Sequence, residues 1–150
     1  MNSNVWGPSC WLLLHSTAFN QPERIPGDRA RAIASMLEAW FDLLPCSHCR
    51  ASLMVINHFL PYKKFLASRA AFFYWTYAVH NIVNQKLGKA QADFEQVVEE
   101  YTRFDTERRS IDAAAAQALF EPKVSRGRRR LQRELDQSSY ASLYRELFFR

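Results

Sequence analysis

Residues 65–89 read FLASRAAFFYWTYAVHNIVNQKLGK. Phe72, Trp75, Val79, Ile82 and Val83 recur at three- and four-residue steps, which places them on one face of a helix. Gly88 supplies its C-terminal stop, so the pattern predicts a long helix from about Phe65 to Leu87. Working back, Pro61 ends a preceding helix that starts at Pro45 and covers Cys46 to about Phe59. Before it, Asp28 reads as the N-cap of a helix carrying Ile33, Leu37, Trp40, Phe41 and Leu44. The segment QPERIPGD (21–28) separates that helix from a first one, opened by Gly7 and Pro8 and running to about Phe19, with Trp11, Leu14, His15 and Ala18 on one face. Working forward, Ala90 to Phe104 reads as a short fifth helix with Phe94, Val97, Val98 and Tyr101 inward. No stretch alternates at period two long enough for a strand. The expectation is an all-α bundle.

Composition agrees. The chain has 150 residues, 48% hydrophobic and 14% aromatic, with only four glycines, which is material for one packed domain and excludes disorder or fibrous repeats. The longest stretch free of Lys, Arg, Asp and Glu, Met1 to Pro22, is broken by polar residues and is no transmembrane helix. Met1-Asn2-Ser3-Asn4 carries no basic n-region, so the expected location is the cytoplasm. Residues 1–104 hold ten Lys/Arg against eight Asp/Glu, whereas residues 105–150 hold ten against seven. The excess gathers in Lys123, Arg126, Arg128, Arg129, Arg130 and Arg133, a run suited to nucleic acid, an anionic membrane, an acidic partner or plain solvation. We therefore divide the chain into a core, 1–104, and a basic helical extension, 105–150. Within the extension, Pro122 and Gly127 are expected to flank a break in the helix. Tyr140, Leu143, Tyr144 and Leu147, with Phe148 beside them, are expected to line a last helix that docks on the bundle or on a partner subunit.

Three cysteines, Cys10, Cys46 and Cys49, cannot staple a secreted scaffold. Cys46 and Cys49 form PCSHC, a Cys-x-x-Cys pair. If a helix starts at Pro45, both thiols lie in its first turn, where the dipole and free N–H groups favour a thiolate, with His48 and Arg50 adding positive charge nearby. A thiolate attacks disulfides, so the site suits exchange. The other readings are an inert buried pair or half a zinc site, although no second Cys-x-x-Cys or paired-histidine motif supplies the remaining metal ligands. A thioredoxin-like fold needs strands around such a motif, and both flanks here read helical.

Two further clusters depart from ordinary core. In WGPSCWLLLH, Trp11 and His15 share a helix face; in HNIVNQKLGK, His80 and Asn84 share one and Asn81 lies beside them. Asn and His are poor helix formers and are costly to bury unpaired. Their grouping, followed by Lys86 and Lys89, suits a flat polar ligand with phosphates next to a dithiol.

Together, WGPxxWxxLH, PCxxC and YWxxxxHNxVNxxLGK resemble the FAD-linked sulfhydryl oxidases of the Erv/ALR family, over roughly residues 5–104. The few cysteines make the chain look most like the members carried by large DNA viruses. The resemblance implies a four-helix bundle with a short fifth helix that holds FAD. It implies Cys49 as the flavin-proximal sulfur and Cys46 as the one meeting the incoming thiol. It implies cofactor contacts from Gly7, Trp11, His15, Cys49, Trp75, His80, Asn81, Val83, Asn84, Lys86, Leu87 and Lys89. Relative to cellular members, Pro8 replaces an Arg, the second structural disulfide and the shuttle dithiol are absent, and Tyr101 or Phe104 stands in for a tryptophan. Cys10 is read as a small buried core residue near the cofactor, with intermolecular pairing as the other reading.

The implied activity is oxidation of protein dithiols to disulfides, with electrons passing to FAD and then to O2 to give H2O2. The implied partners are a protein substrate, with a thioredoxin-like protein as the natural candidate, and a second copy of the chain through the first two helices. The implied location is the cytoplasm, or the host cytoplasm or virion for a viral protein. The competing reading is a helical binding module whose basic tail engages nucleic acid or membrane and whose Cys-x-x-Cys is not catalytic.

Overall fold

The computed structural model describes residues 2–137 and, beyond them, Ser142, Arg145 and Glu146. Among the described residues, six helices follow in order: α1 (Ser3–Phe19), α2 (Gly27–Leu43), α3 (Ser47–Phe59), α4 (Arg69–Lys86), α5 (Phe94–Phe104) and α6 (Ala113–Gln137), with a one-turn 3₁₀ helix at Tyr62–Phe65. No strand occurs among the described residues, as expected for an all-α chain. None of these helices is long and apolar enough to cross a membrane.

The long central helix organises the rest. Phe72, Phe73, Tyr74, Trp75, Thr76, Ala78 and Val79 of α4 are buried, and α1, α5 and α6 all pack on it. Its start differs from the expectation. Tyr62–Phe65 form their own turn, and α4 begins only after Ser68, whose Oγ accepts from the Ala71 N–H at 3.2 Å. Serine is a strong N-cap, and that signal outweighs the apolar continuity from Phe65. The same corner ties down the α1–α2 loop: the Ile25 N–H donates to Ala67 O and the Arg69 N–H to Glu23 O.

Two other starts are corrected. Helix α1 begins at Ser3, where Asn2 Oδ1 caps the Asn4 N–H at 2.9 Å, so Pro8 lies inside the helix rather than at its first position. Asp28 sits in the first turn of α2 rather than capping it, where its charge still complements the dipole.

The extension differs most. Helix α6 runs unbroken through Pro122 and Gly127. Ala116, Phe120, Val124, Gly127, Leu131 and Leu135 fall at steps of four, four, three, four and four and are all buried. An interior proline costs about 3 kcal/mol, and burying each large apolar side chain returns roughly 1.5–3 kcal/mol, so packing outweighs the local breaker. Gly127 marks a crossing, not a break: a Cβ there would lie 2.9 Å from the carbonyl oxygen of Phe59. Only glycine lets α6 approach the end of α3 this closely. Lys123, Arg126, Arg129, Arg130 and Arg133 stay exposed on the outer face, while Arg128 is half-buried. Tyr140, Leu143, Tyr144, Leu147 and Phe148 lie outside the described residues.

Candidate active site

Pro45 separates α2 from α3 and leaves Cys46 as the N-cap of α3. The Cys49 N–H donates to Cys46 Sγ at 3.1 Å. The two cysteines are joined as a disulfide with their Cα atoms 5.2 Å apart. Both are half-buried, so the pair sits at the surface end of a helix whose free N–H groups favour a sulfur anion. Arg50 acts on the backbone: its Nη1 donates to Leu44 O and braces the turn that leads into the pair.

The dithiol helix is tied to the end of α4. Ser52, one turn after Cys49, donates from Oγ to His48 O at 2.8 Å and accepts from Lys86 Nζ. Burial holds the Lys86 ammonium below its ordinary pKa. Lys86 is the last residue of α4, and the chain leaves the helix through a tight cap. The Gly88 N–H donates to Gln85 O at 3.1 Å and the Lys89 N–H to Asn84 O at 2.8 Å, with Gly88 at φ +65°. A residue with a Cβ is disfavoured at that angle, so Gly88 fixes the direction in which Lys89 leaves the helix.

On the α1 side, the rings of Trp11 and His80 stack in parallel, 4.1 Å between centroids and 4° between planes. His15 Nε2 lies 3.0 Å from His80 Nδ1, and His15 Nδ1 lies 2.9 Å from Thr76 Oγ1. Burial, with the His80 charge adding, pushes His15 down to about 3. Burial and the nearby Lys89 charge push His80 to about 4. Both imidazoles are therefore neutral near pH 7.

Of the residues singled out in the sequence, Trp11, His15 and His80 meet in one stack, Lys86 reaches the dithiol helix, and Asn84 and Lys89 build the cap between them. Val83 is half-buried at the edge of the core and Leu87 is exposed. Gly7 is half-buried, and a Cβ there would meet nothing within 4 Å, so the protein's own packing does not require glycine. Two of these residues also have structural roles. Trp75 is 1% exposed and its Nε1–H donates to Leu60 O at 2.9 Å, which makes it an anchor of the core. Asn81 is buried, and its amide exchanges two 2.9 Å hydrogen bonds with the backbone of Ala92, so its side chain holds the loop before α5. Cys10 is half-buried and unpaired, and burial raises its thiol pKa.

Three participants went unassigned in the sequence reading. Ser52 and Thr76 look like ordinary small polar residues until their partners are known. Trp6, the first residue of the WGP motif, has a buried Nε1–H with no partner among the described residues.

An all-α scaffold thus ties the helix capped by the Cys-x-x-Cys disulfide, through Ser52 and Lys86, to the helix that carries His80 of the aromatic stack. The chain belongs to the Erv1 / Alr family, whose model matches residues 8–103. It is 28% identical over 106 residues to FAD-linked sulfhydryl oxidase ERV1 of Oryza sativa subsp. japonica, covering 71% of this chain and 54% of that protein. It is 26% identical over 106 residues to FAD-linked sulfhydryl oxidase ERV1 of Arabidopsis thaliana, with the same coverage. The FAD-linked sulfhydryl oxidase of African swine fever virus (isolate Warthog/Namibia/Wart80/1980) is 34% identical over 86 residues, covering 56% of this chain and 69% of the viral protein. The chain thus spans about half the length of the plant relatives it matches.

Proposed function

We propose that this chain is a flavin-dependent thiol oxidase that forms disulfides in protein substrates. The observation carrying the reading is that the helix capped by the Cys46–Cys49 disulfide is linked, through Ser52 and Lys86, to the end of α4 that bears His80 and Asn84 and is followed by Lys89. The residues fit a flavin nucleotide. The stacked Trp11–His80 pair offers an aromatic surface, Lys86 and Lys89 offer charge for phosphates, and Trp6 Nε1 is a buried donor without a partner among the described residues. Gly7, His15, Val83, Asn84 and Leu87 complete the proposed contact set, with Asn81 and Trp75 as the frame behind it.

In the proposed reaction a substrate thiolate attacks Cys46 Sγ. The Cys46–Cys49 bond breaks, a mixed disulfide forms at Cys46, and the electron pair leaves on Cys49 as a thiolate. A second substrate thiolate then attacks the mixed disulfide, which releases the oxidised substrate and leaves Cys46 reduced. Bound FAD would supply the two-electron acceptor that restores the Cys46–Cys49 disulfide and the route of that electron pair to O2, with H2O2 as the product. The protein positions the sulfurs at a helix N-terminus that stabilises the anion. Because Cys46 is half-buried rather than enclosed, a small thioredoxin-like partner is the proposed substrate. We further propose a homodimer through α1 and α2, supported by the exposed apolar residues Val5, Leu12 and Leu13 on α1 and Met36 and Leu43 on α2. The proposed location is the cytoplasm, or host cytoplasm and virion for a viral chain.

The test is direct. Purified protein should be yellow, absorbing near about 450 nm as flavins do, and should consume O2 with dithiothreitol. A folded, colourless protein that takes up no added FAD overturns the reading.

A further inference from the structure

The buried stack contains a hydrogen-bond chain with a fixed direction. Thr76 Oγ1 lies 2.7 Å from the carbonyl oxygen of Phe73, and the residue is fully buried. A carbonyl oxygen has no proton to give, so two oxygens at that distance attract only if the Thr76 hydroxyl proton lies between them. That proton is then committed, and toward His15 the hydroxyl can only accept. His15 Nδ1, 2.9 Å away, must carry a proton and donate it to Thr76. A neutral imidazole has one N–H, so His15 Nε2 is a bare acceptor. His80 Nδ1, 3.0 Å from it, must in turn be the protonated nitrogen that donates. His80 Nε2 is left without a proton, and it makes no hydrogen bond among the described residues.

We propose that Thr76 is a positioning residue for the cofactor: its hydroxyl sets the proton on Nδ1 of both His15 and His80 and so presents His80 Nε2 to the bound nucleotide as an acceptor. The complementary ligand group is a hydrogen-bond donor, an amine or hydroxyl rather than a carbonyl or phosphate oxygen. This rests on the flavin reading of the site. Thr76 touches no ligand; it acts through two rings, over a path that no spacing motif records.

The experiment uses the full chain as purified, with nitrogen-15 NMR of the histidine side chains and FAD titration. In the wild type, Nε2 of both His15 and His80 should resonate as unprotonated nitrogen and Nδ1 as protonated. Thr76→Val keeps the shape and removes the acceptor, so both tautomers should invert, with His80 becoming an Nε2–H donor. FAD affinity should fall by about tenfold, the size of one misplaced hydrogen bond. Thr76→Ser restores the hydroxyl and should restore both the wild-type tautomers and affinity within about twofold. A wild-type His80 protonated on Nε2 overturns the proposal. So does a Thr76→Val protein that keeps wild-type tautomers. If the valine variant does not fold, the wild-type spectrum and the serine variant still decide. Expected tautomers in a wild type that takes up no FAD would overturn the flavin reading and leave the proton arrangement standing.

Discussion

Lys86, the last residue of α4, donates from Nζ to the hydroxyl of Ser52, one turn into the helix that starts at the redox pair. One contact thus ties the cysteine helix to the helix bearing His80 and Asn84, which lie far apart in sequence. Ser52→Ala removes the shared hydroxyl, including its bond to His48 O. The loss should be about 1–2 kcal/mol, a drop of roughly 3–6 °C in melting temperature for a chain this size. Turnover with dithiothreitol should fall with it, because the sulfurs lose a fixed distance to the cofactor residues. Thermal denaturation that cannot tell the variant from wild type would show that the contact does not couple the helices.

The cysteines separate by position. Cys49→Ser should abolish turnover while FAD stays bound, since the proposed nucleotide contacts lie on α1 and α4. Cys46→Ser leaves Cys49 as a free thiol, and the flavin-loaded protein should gain a long-wavelength absorption band as that thiol ionises. Absence of the band at every pH through the thiol titration would reverse the assignment of the two sulfurs.

How much of this was legible in the sequence depends on whether a residue's role is local. The α4 face, the Gly88 stop and the Cys-x-x-Cys at a helix start are local signals, and they stand. Pro122 and Gly127 are also local signals, and they misled, because α6 runs through both. The decisive pattern in α6 was the four-and-three spacing from Ala116 to Leu135, whose value depends on a surface contributed by α3, α4 and α5. Asn81 and Trp75 belong to a motif suited to a ligand, yet their polar atoms bond to Ala92 and Leu60. Nothing in spacing distinguishes a ligand contact from a backbone partner in another segment. Thr76 is invisible for the same reason.

The buried histidines predict a pH response. His15 and His80 have folded-state pKa values of about 3 and about 4, below the ordinary 6.5. Between pH 6.5 and those values the unfolded chain binds protons that the folded chain does not. Their contribution is therefore complete above pH 6.5 and is lost as pH falls toward 4. The slope from His15 approaches about 1.4 kcal/mol per pH unit, with less from the more exposed His80. Urea midpoints should fall steadily from pH 7 to pH 5, and His15→Gln should flatten the fall. A midpoint unchanged over that range would mean the histidines are not buried neutral.

Gly127→Ala pits two effects against each other. Alanine gains up to about 1 kcal/mol of helix propensity over glycine. The new Cβ, however, meets the Phe59 carbonyl oxygen at 2.9 Å, a backbone atom that can move only by shifting α3 against α6. Overpacking of this kind costs about 1–3 kcal/mol. The net expectation is destabilisation of about 1 kcal/mol, read from urea unfolding. A more stable alanine variant would mean that the two helices cross at a greater distance.

The final prediction concerns the division at Phe104. The family match ends at residue 103, and every residue proposed for chemistry lies at or before Lys89. Helix α6 packs on α3, α4 and α5. Phe120 packs on Phe65 and Tyr74, and the Tyr74 hydroxyl donates to Glu121 Oε2 at 2.6 Å. Removing residues 105–150 uncovers these rings and removes the burial of Phe120, Val124, Leu131 and Leu135. At roughly 1.5–3 kcal/mol each, that is comparable with the whole stability of an average domain, about 5–15 kcal/mol. Chain 1–104 should therefore be strongly destabilised and prone to aggregate, yet able to take up FAD when refolded with excess cofactor, because the cofactor residues keep their own packing. Adding a peptide of residues 105–137 should restore much of the melting temperature. A 1–104 chain with undiminished stability would show that α6 is not part of the core. One that takes up no FAD even with the peptide present would place the boundary elsewhere, with the extension inseparable from the cofactor fold.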